Sequence, residues 1–223
     1  MNTIPYIKYF YYLGINWNWK LATVLILQEI KGEKKYGINT TGADELEGLA
    51  KNAIDISHAT IYMPVSYNLL ENVLTHIPEN CRNHFLDIGC GKGRALCVAA
   101  YNGFKKISGI DFSAIFCDEA IKNLLITQNK TAPFLHNVMH KNVLNYKIPA
   151  DVDCLFLFNP FDGKLMQHLV NKISRSLQQS PRLLYIIYAN PLHINLFINE
   201  GFKQIFYTKR MKYFEVCILT KNE

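Results

Sequence analysis

The residues Phe85-Leu-Asp-Ile-Gly-Cys-Gly-Lys-Gly93 combine types that let backbone touch a bound ligand. An apolar run ends in an acid, and Gly89, Gly91 and Gly93 then stand at alternate positions. Helix-forming Arg94-Ala-Leu-Cys-Val-Ala-Ala100 follows. Strand, tight loop and helix start, with no Cβ atoms in the way, admit a nucleoside-sized ligand to close approach. A second acid, Asp111, ends the next apolar run, Ile107-Ser-Gly-Ile-Asp111, at the distance of about 20 residues where doubly wound folds place a ribose acceptor. A carboxylate there accepts from both ribose hydroxyls and repels a 2′-phosphate. Helix N-capping is the competing role for Asp111, with Ser113 as its rival. The glycine spacing is G-x-G-x-G, not the G-x-G-x-x-G of dinucleotide binders. Asp87 in front of it suits an ammonium-bearing ligand better than a pyrophosphate.

A third group is Phe158-Asn-Pro-Phe-Asp162. The Asn159 oxygen can accept from an amine and aim its lone pair, while Phe161 offers a flat apolar wall. Asn159-Pro160 would also make a strand-ending turn without any chemistry. Asp162 is the nearest acid for a proton-accepting role. Asn190-Pro191 repeats the step, and a helix start after Pro191 explains it.

These residues need elements to hold them. Strands are expected at His84–Ile88, Lys106–Asp111, Phe134–Met139, Asp153–Phe158, Leu183–Ala189, Lys203–Thr208 and Tyr213–Leu219. Helices are expected at Ser66–His76, Lys92–Tyr101, Ser113–Thr127, Gly163–Leu177 and Leu192–Asn199, with a turn near Val143. The alternation predicts an α/β fold with a doubly wound, mostly parallel seven-stranded sheet. The last two strands read as a hairpin around Lys209-Arg-Met-Lys212, so the final strand enters antiparallel. Trp17, Trp19, Leu21, Val24, Leu25, Leu27 and Ile30 predict a single N-terminal amphipathic helix ended by Lys31-Gly-Glu-Lys-Lys35. It serves as a packed cap, a lid, a dimer contact or a membrane-surface helix. Residues 36–64 read as irregular, with a short helix near Ala43–Lys51.

The bulk properties agree with one globular unit. The chain has 223 residues, 49% hydrophobic, with a net charge of +6. That charge is compatible with nucleic acid, an acidic protein, an anionic surface or none of these. The six cysteines lack C-x-x-C spacing and read as reduced thiols of a cytoplasmic protein, not metal ligands. No metal-binding histidine pattern, secretory signal or membrane-spanning run is expected.

Leu86-Asp-Ile-Gly-Cys-Gly-Lys-Gly93, Gly109-Ile-Asp-Phe-Ser113 and Leu157-Phe-Asn-Pro-Phe161 resemble the motifs of class I S-adenosylmethionine-dependent methyltransferases. The resemblance spans about residues 62–220. It implies the Rossmann-like methyltransferase fold and S-adenosyl-L-methionine as cofactor, with Gly89, Gly91 and Gly93 at its methionine part, Asp111 on the ribose and Phe112 on adenine. Asn142 matches a position near the adenine amine where relatives often carry Asp. Asn159, Pro160 and Phe161 are similar to the Asn-Pro-Pro-aromatic motif of amino-group methyltransferases, with one proline missing, which implies a substrate contact there and a cofactor contact for Asn159 as well. Tyr62-Met-Pro64 is similar to a cofactor-closing segment of bacterial and lysine methyltransferases on this fold. The expected organisation is a helical and irregular cap over 1–61 and a cofactor-binding domain over 62–223. The expected activity is N-methylation of protein lysine. A nucleobase or small-molecule acceptor, and a non-catalytic cofactor-binding module, stand as alternatives.

Overall fold

The structure is a computed structural model that describes residues 4–41, 64–159, 161–210 and 214–221. One sheet contains β1 (His84–Ile88), β2 (Lys106–Asp111), β3 (Leu135–His140), β4 (Cys154–Phe158), β5 (Leu184–Ala189), β6 (Lys203–Arg210) and β7 (Phe214–Lys221). Its order is β3-β2-β1-β4-β5-β7-β6. The first five strands are parallel, and β7 runs antiparallel to both β5 and β6. The helices are α1 (Ile4–Asn16), α2 (Trp19–Tyr36), α3 (Tyr67–Leu74), α4 (Arg94–Tyr101), α5 (Ala114–Gln128), α6 (Gly163–Gln179) and α7 (Ile194–Asn199). No helix among the described residues is long and apolar enough to cross a membrane.

The inner strands β1, β4 and β5 are largely apolar because both sheet faces are covered there, whereas the edge strands β3 and β6 are polar and mostly exposed or half-buried. All five residues of β1 are buried. Phe85 packs in a core shared with Leu70, Val73 and Leu74 of α3 and Leu96 of α4. Leu86 and Ile88 point the other way, into a core with Met166, Leu169, Val170 and Ile173 of α6. The chain winds from β1 to β2 and β3 on one side and reaches β4 and β5 on the other. That leaves a crevice between β1 and β4, at the carboxyl ends of the strands, where open α/β sheets bind ligands. Ile88 lies opposite Ile110 on one neighbour and Leu157 on the other. The glycine loop, Asp111 and Phe158-Asn159 therefore emerge together.

Strand boundaries follow the sequence reading to within one or two residues. The helix after the glycine loop begins at Arg94 rather than Lys92, because Gly93 is left-handed at φ 80° and holds the loop open to that point. A Cβ at Gly93 would also lie 2.9 Å from that of Ala120 in α5.

The N-terminal reading needs correction. Two helices stand where one was expected. Asn18 adopts φ −165° and ψ 155°, and its side chain accepts from the Leu21 N–H at 2.8 Å, so it caps a new helix and breaks the apolar run. Lys31-Gly-Glu-Lys-Lys35 does not end α2, which continues to Tyr36 and stops at left-handed Gly37, whose N–H reaches the Glu33 carbonyl. Lys34 and Lys35 suit that last turn, where the helix dipole favours cations. Gly32 is a contact point rather than a breaker: a Cβ there would lie 2.1 Å from the Tyr67 ring of α3. Tyr6, early in α1, donates to Glu33, late in α2, so the pair forms an antiparallel hairpin. The expected helix at 43–51 lies outside the described residues.

Candidate functional site

The glycine loop is held from both sides. The Gly89 and Cys90 N–H groups donate to the Ile110 carbonyl at 2.9 and 3.0 Å. The Gly91 N–H donates to Asp111 Oδ2 at 2.8 Å, and the Ser113 N–H to Asp111 Oδ1 at 2.9 Å. Positive φ at Gly89 (81°), Gly91 (50°) and Gly93 (80°) lets the loop double back toward β2. Ser113, not Asp111, caps α5, accepting from the Phe116 N–H. The rival role for Asp111 is thus taken by its neighbour. Burial raises the Asp111 carboxyl, against the lowering effect of its backbone donors. Asp87 is also buried, and its carboxyl is pushed well up by burial and then by the Asp111 charge.

A cleft opens beside this loop. Gly89, Ile110, Asp111 and Phe112 form one side, Lys141, Asn142, Val143 and Leu144 another, and Phe161 and Leu165 a third. Its chemistry is an acidic end with aromatic and aliphatic walls, which suits a ribose joined to a flat base. Asn142 stands at the start of a single 3-10 turn, Val143–Asn145, and its Oδ1 accepts from the Leu144 N–H at 2.9 Å. The oxygen expected to face a base amine is therefore partly engaged, with a lone pair left over. Lys172 of α6 donates to the Val143 and Leu144 carbonyls and fixes that turn.

Asn159 follows β4 in a left-handed conformation, φ 36°, and its Oδ1 accepts from the Tyr188 hydroxyl at 3.3 Å. Non-glycine residues rarely adopt such angles, and where they do the fold must hold them. Phe158 before it lines a second cavity and Phe161 after it lines the Asp111 cleft, so this short segment joins the two spaces. Asp162 caps α6 by accepting from the Leu165 N–H. Asn190, at the end of β5, is the other left-handed non-glycine residue among those described, at φ 49°. Helix α7 starts only at Ile194, so a helix start directly after Pro191 does not account for Asn190. It lines the second cavity. Tyr62 and Pro160 lie outside the described residues.

Several solved structures share this chain's fold. A SAM-dependent methyltransferase from Aquifex aeolicus is 15% identical, with a TM-score of 0.54 over 68% of this chain and 88% of that one. An RNA methyltransferase from Salinibacter ruber, in complex with S-adenosyl-L-homocysteine, is 14% identical, with a TM-score of 0.53 over 72% and 95%. A ribosomal protein methylase from Lactobacillus delbrueckii subsp. bulgaricus is 13% identical, with a TM-score of 0.51 over 69% and 77%. The chain has the class I methyltransferase fold. No family model and no curated protein matches it in sequence.

Two features of this methyltransferase fold escaped the sequence reading. One is a buried knot that ties α2 to the helix after the glycine loop. Arg94 Nη1 donates to Glu29 Oε1 at 2.7 Å and to the Val65 carbonyl at 2.8 Å, and Nη2 donates to Glu29 Oε2. Arg94 Nε donates to Thr40 Oγ1, and the guanidinium lies 4.1 Å over the Tyr67 ring. Glu33 accepts from the Thr40 and Thr41 N–H groups at 2.7 Å each. Asn123 of α5 adds a tie, donating to the Lys92 and Asn39 carbonyls. Its one sequence signal is Glu29 and Glu33, one turn apart on an otherwise apolar and basic helix. The second feature is the cavity of about 210 Å³ beneath the helical hairpin. Tyr9, Trp17, Leu21, Leu25 and Glu29 roof it, and Phe158, Asn190, Phe214 and Glu215 form its floor at the strand ends.

Proposed function

We propose that this chain is an S-adenosylmethionine-dependent N-methyltransferase whose acceptor is a protein lysine side chain, with residues 1–61 acting as a cap on a cofactor-binding unit over 62–223. The observation that carries the reading is the meeting of Asp111, Gly89, Phe112 and Phe161 in one cleft at the switch point of the sheet. In this assignment Asp111 accepts from the ribose, Phe112 and Phe161 flank the base with Asn142 at its edge, and Gly89, Gly91 and Gly93 pass backbone along the methionine part. Asp87 supplies negative charge for its ammonium. The sulfonium, when bound, would supply the methyl group and leave as a neutral thioether, and the acceptor ammonium must first give up its proton to solvent so that its lone pair is free. What remains for the protein is alignment and exclusion of water, and alignment alone carries large rate factors. Asn159 sits between the two spaces and holds the amine, while the hairpin cavity receives the aliphatic stem among Tyr9, Leu21, Leu25 and Phe214.

Two expected results follow from these assignments. Asn159→Gly keeps the left-handed backbone and removes only the side chain. It should lower methyl transfer by about 100-fold while leaving S-adenosylhomocysteine affinity near wild type, with a modest loss of thermal stability because the buried Tyr188 hydroxyl loses its acceptor. An equal transfer rate would remove Asn159 from the reaction. The second concerns pH. Asp87 and Asp111 have raised folded-state pKa values, so their contribution to the stability of the unliganded fold is present at low pH and fades as pH rises through those values. A bound ammonium favours ionised Asp87, so in the pH range where burial keeps the free carboxyl protonated, ligand binding releases a proton. Calorimetry in buffers of different ionisation enthalpy should show that release and an affinity that rises with pH. Asp87→Asn should diminish both, leaving the share that Asp111 contributes.

Methyl-labelled S-adenosylmethionine incubated with a fractionated lysate tests the function. Acid hydrolysis should recover the label as methyl-lysine. Label in RNA or in a small metabolite overturns the lysine assignment, and no label in any fraction contradicts methyl transfer.

A further inference from the structure

We infer that the outer face of the α1–α2 hairpin docks on an anionic phospholipid surface. Ile7, Tyr11 and Ile15 follow one another at four-residue spacing along α1 and are 54%, 56% and 75% exposed. The stripe continues onto α2 through Trp19, which packs edge-on against Tyr11, and on to Leu27. The inner face of the same hairpin buries Tyr9, Leu13, Leu21 and Leu25, so the exposed side chains are surplus to its packing.

The charges around this stripe decide its partner. Lys8, Lys20, Lys31 and Lys34 are exposed, as is Lys35, whose charge is offset by Glu71 of α3 at 3.0 Å. The carboxylates of the two helices, Glu29 and Glu33, are buried in the knot with Arg94, Thr40 and Thr41. Among the described residues, the hairpin therefore presents only positive charge. A second copy meeting the first across a two-fold axis would set lysines against lysines. An RNA would satisfy the lysines but offer nothing to Ile7, Ile15 and Leu27. A bilayer interface with anionic headgroups matches aliphatic side chains, tryptophans at the boundary and lysines together. Trp17 also lines the cavity beneath the hairpin, so the docked face adjoins that cavity. The inference is independent of the methyl-transfer reading.

The two tryptophans of the chain, Trp19 on this face and Trp17 in the turn beside it, report docking directly. The full chain is mixed with vesicles of phosphatidylcholine alone or with added phosphatidylglycerol, and both tryptophan emission and co-sedimentation are followed. A blue shift and sedimentation are expected with the anionic vesicles only, both reversed by high salt. The triple variant Ile7→Ser, Tyr11→Ser, Ile15→Ser alters exposed side chains and should lower partitioning by about ten-fold or more at unchanged melting temperature. Each of Lys8→Gln, Lys20→Gln and Lys31→Gln should weaken it on the order of five-fold. The inference is overturned by no response to either vesicle, by an undiminished response of the triple variant, or by a wild-type dimer that the same three substitutions turn into a monomer.

Discussion

Arg94→Ala is expected to destabilise the fold by about 3–5 kcal/mol, the cost of stranding a buried carboxylate after its partner is removed. Arg94 and Glu29 have side chains only 3% and 2% exposed. Removing the guanidinium also leaves the Val65 carbonyl and Thr40 hydroxyl without that donor, and it empties the space over Tyr67. The loss is therefore larger than a surface ion pair would show, since exposed pairs contribute at most about 1 kcal/mol. Glu29→Gln should cost less, because an amide oxygen still accepts from Arg94. The double variant Arg94→Met, Glu29→Met separates burial from attraction. Replacing both charges with apolar side chains of similar length should recover most of the stability lost by Arg94→Ala. Denaturant unfolding of the three variants checks this. If Arg94→Ala costs less than about 1 kcal/mol, the knot does not hold the hairpin to α4.

Asp111→Ala should weaken S-adenosylhomocysteine binding by about 1–3 kcal/mol, roughly 5- to 150-fold, the value of a charged acceptor lost from a buried site. Two effects add. The ribose loses its acceptor, and the Gly91 and Ser113 N–H groups lose the oxygens that shape the loop. Asp111→Asn distinguishes them. Its one oxygen can accept from Gly91 or from Ser113 but not serve both positions, so an intermediate affinity is expected. Unchanged affinity in a folded Asp111→Ala protein would remove Asp111 from the site.

The readable part of the site was the local part. The β1 loop, Asp111 and the inner strands announce themselves through runs of a few residues, because those strands are buried on both faces and the β1 loop carries glycine where φ is positive. Asp111 is legible for the further reason that strand register places it beside a glycine loop 20 residues back. The Arg94–Glu29 pair spans 65 residues, and the spacing of Glu29 and Glu33 on α2 does not say which residue they meet. The break at Asn18 was hidden because apolar periodicity runs across it, and only the cap geometry reveals two helices. Phe161 carries a similar lesson. Its place after β4 was evident, but the left-handed turn at Asn159 redirects the chain and sets the ring in the Asp111 cleft. Asn190 read as the residue ahead of a helix start after Pro191, and only its backbone angle and its cavity give it more weight.

The cofactor assignment underlies every step of the proposed reaction, and calorimetric titration with S-adenosylhomocysteine and, separately, with NAD tests it most directly. The Gly89–Gly93 loop, Asp87 and Asp111 predict saturable binding of the first, no response to the second, and a weakened isotherm for Asp111→Ala. Saturable NAD binding with no response to S-adenosylhomocysteine would contradict the account.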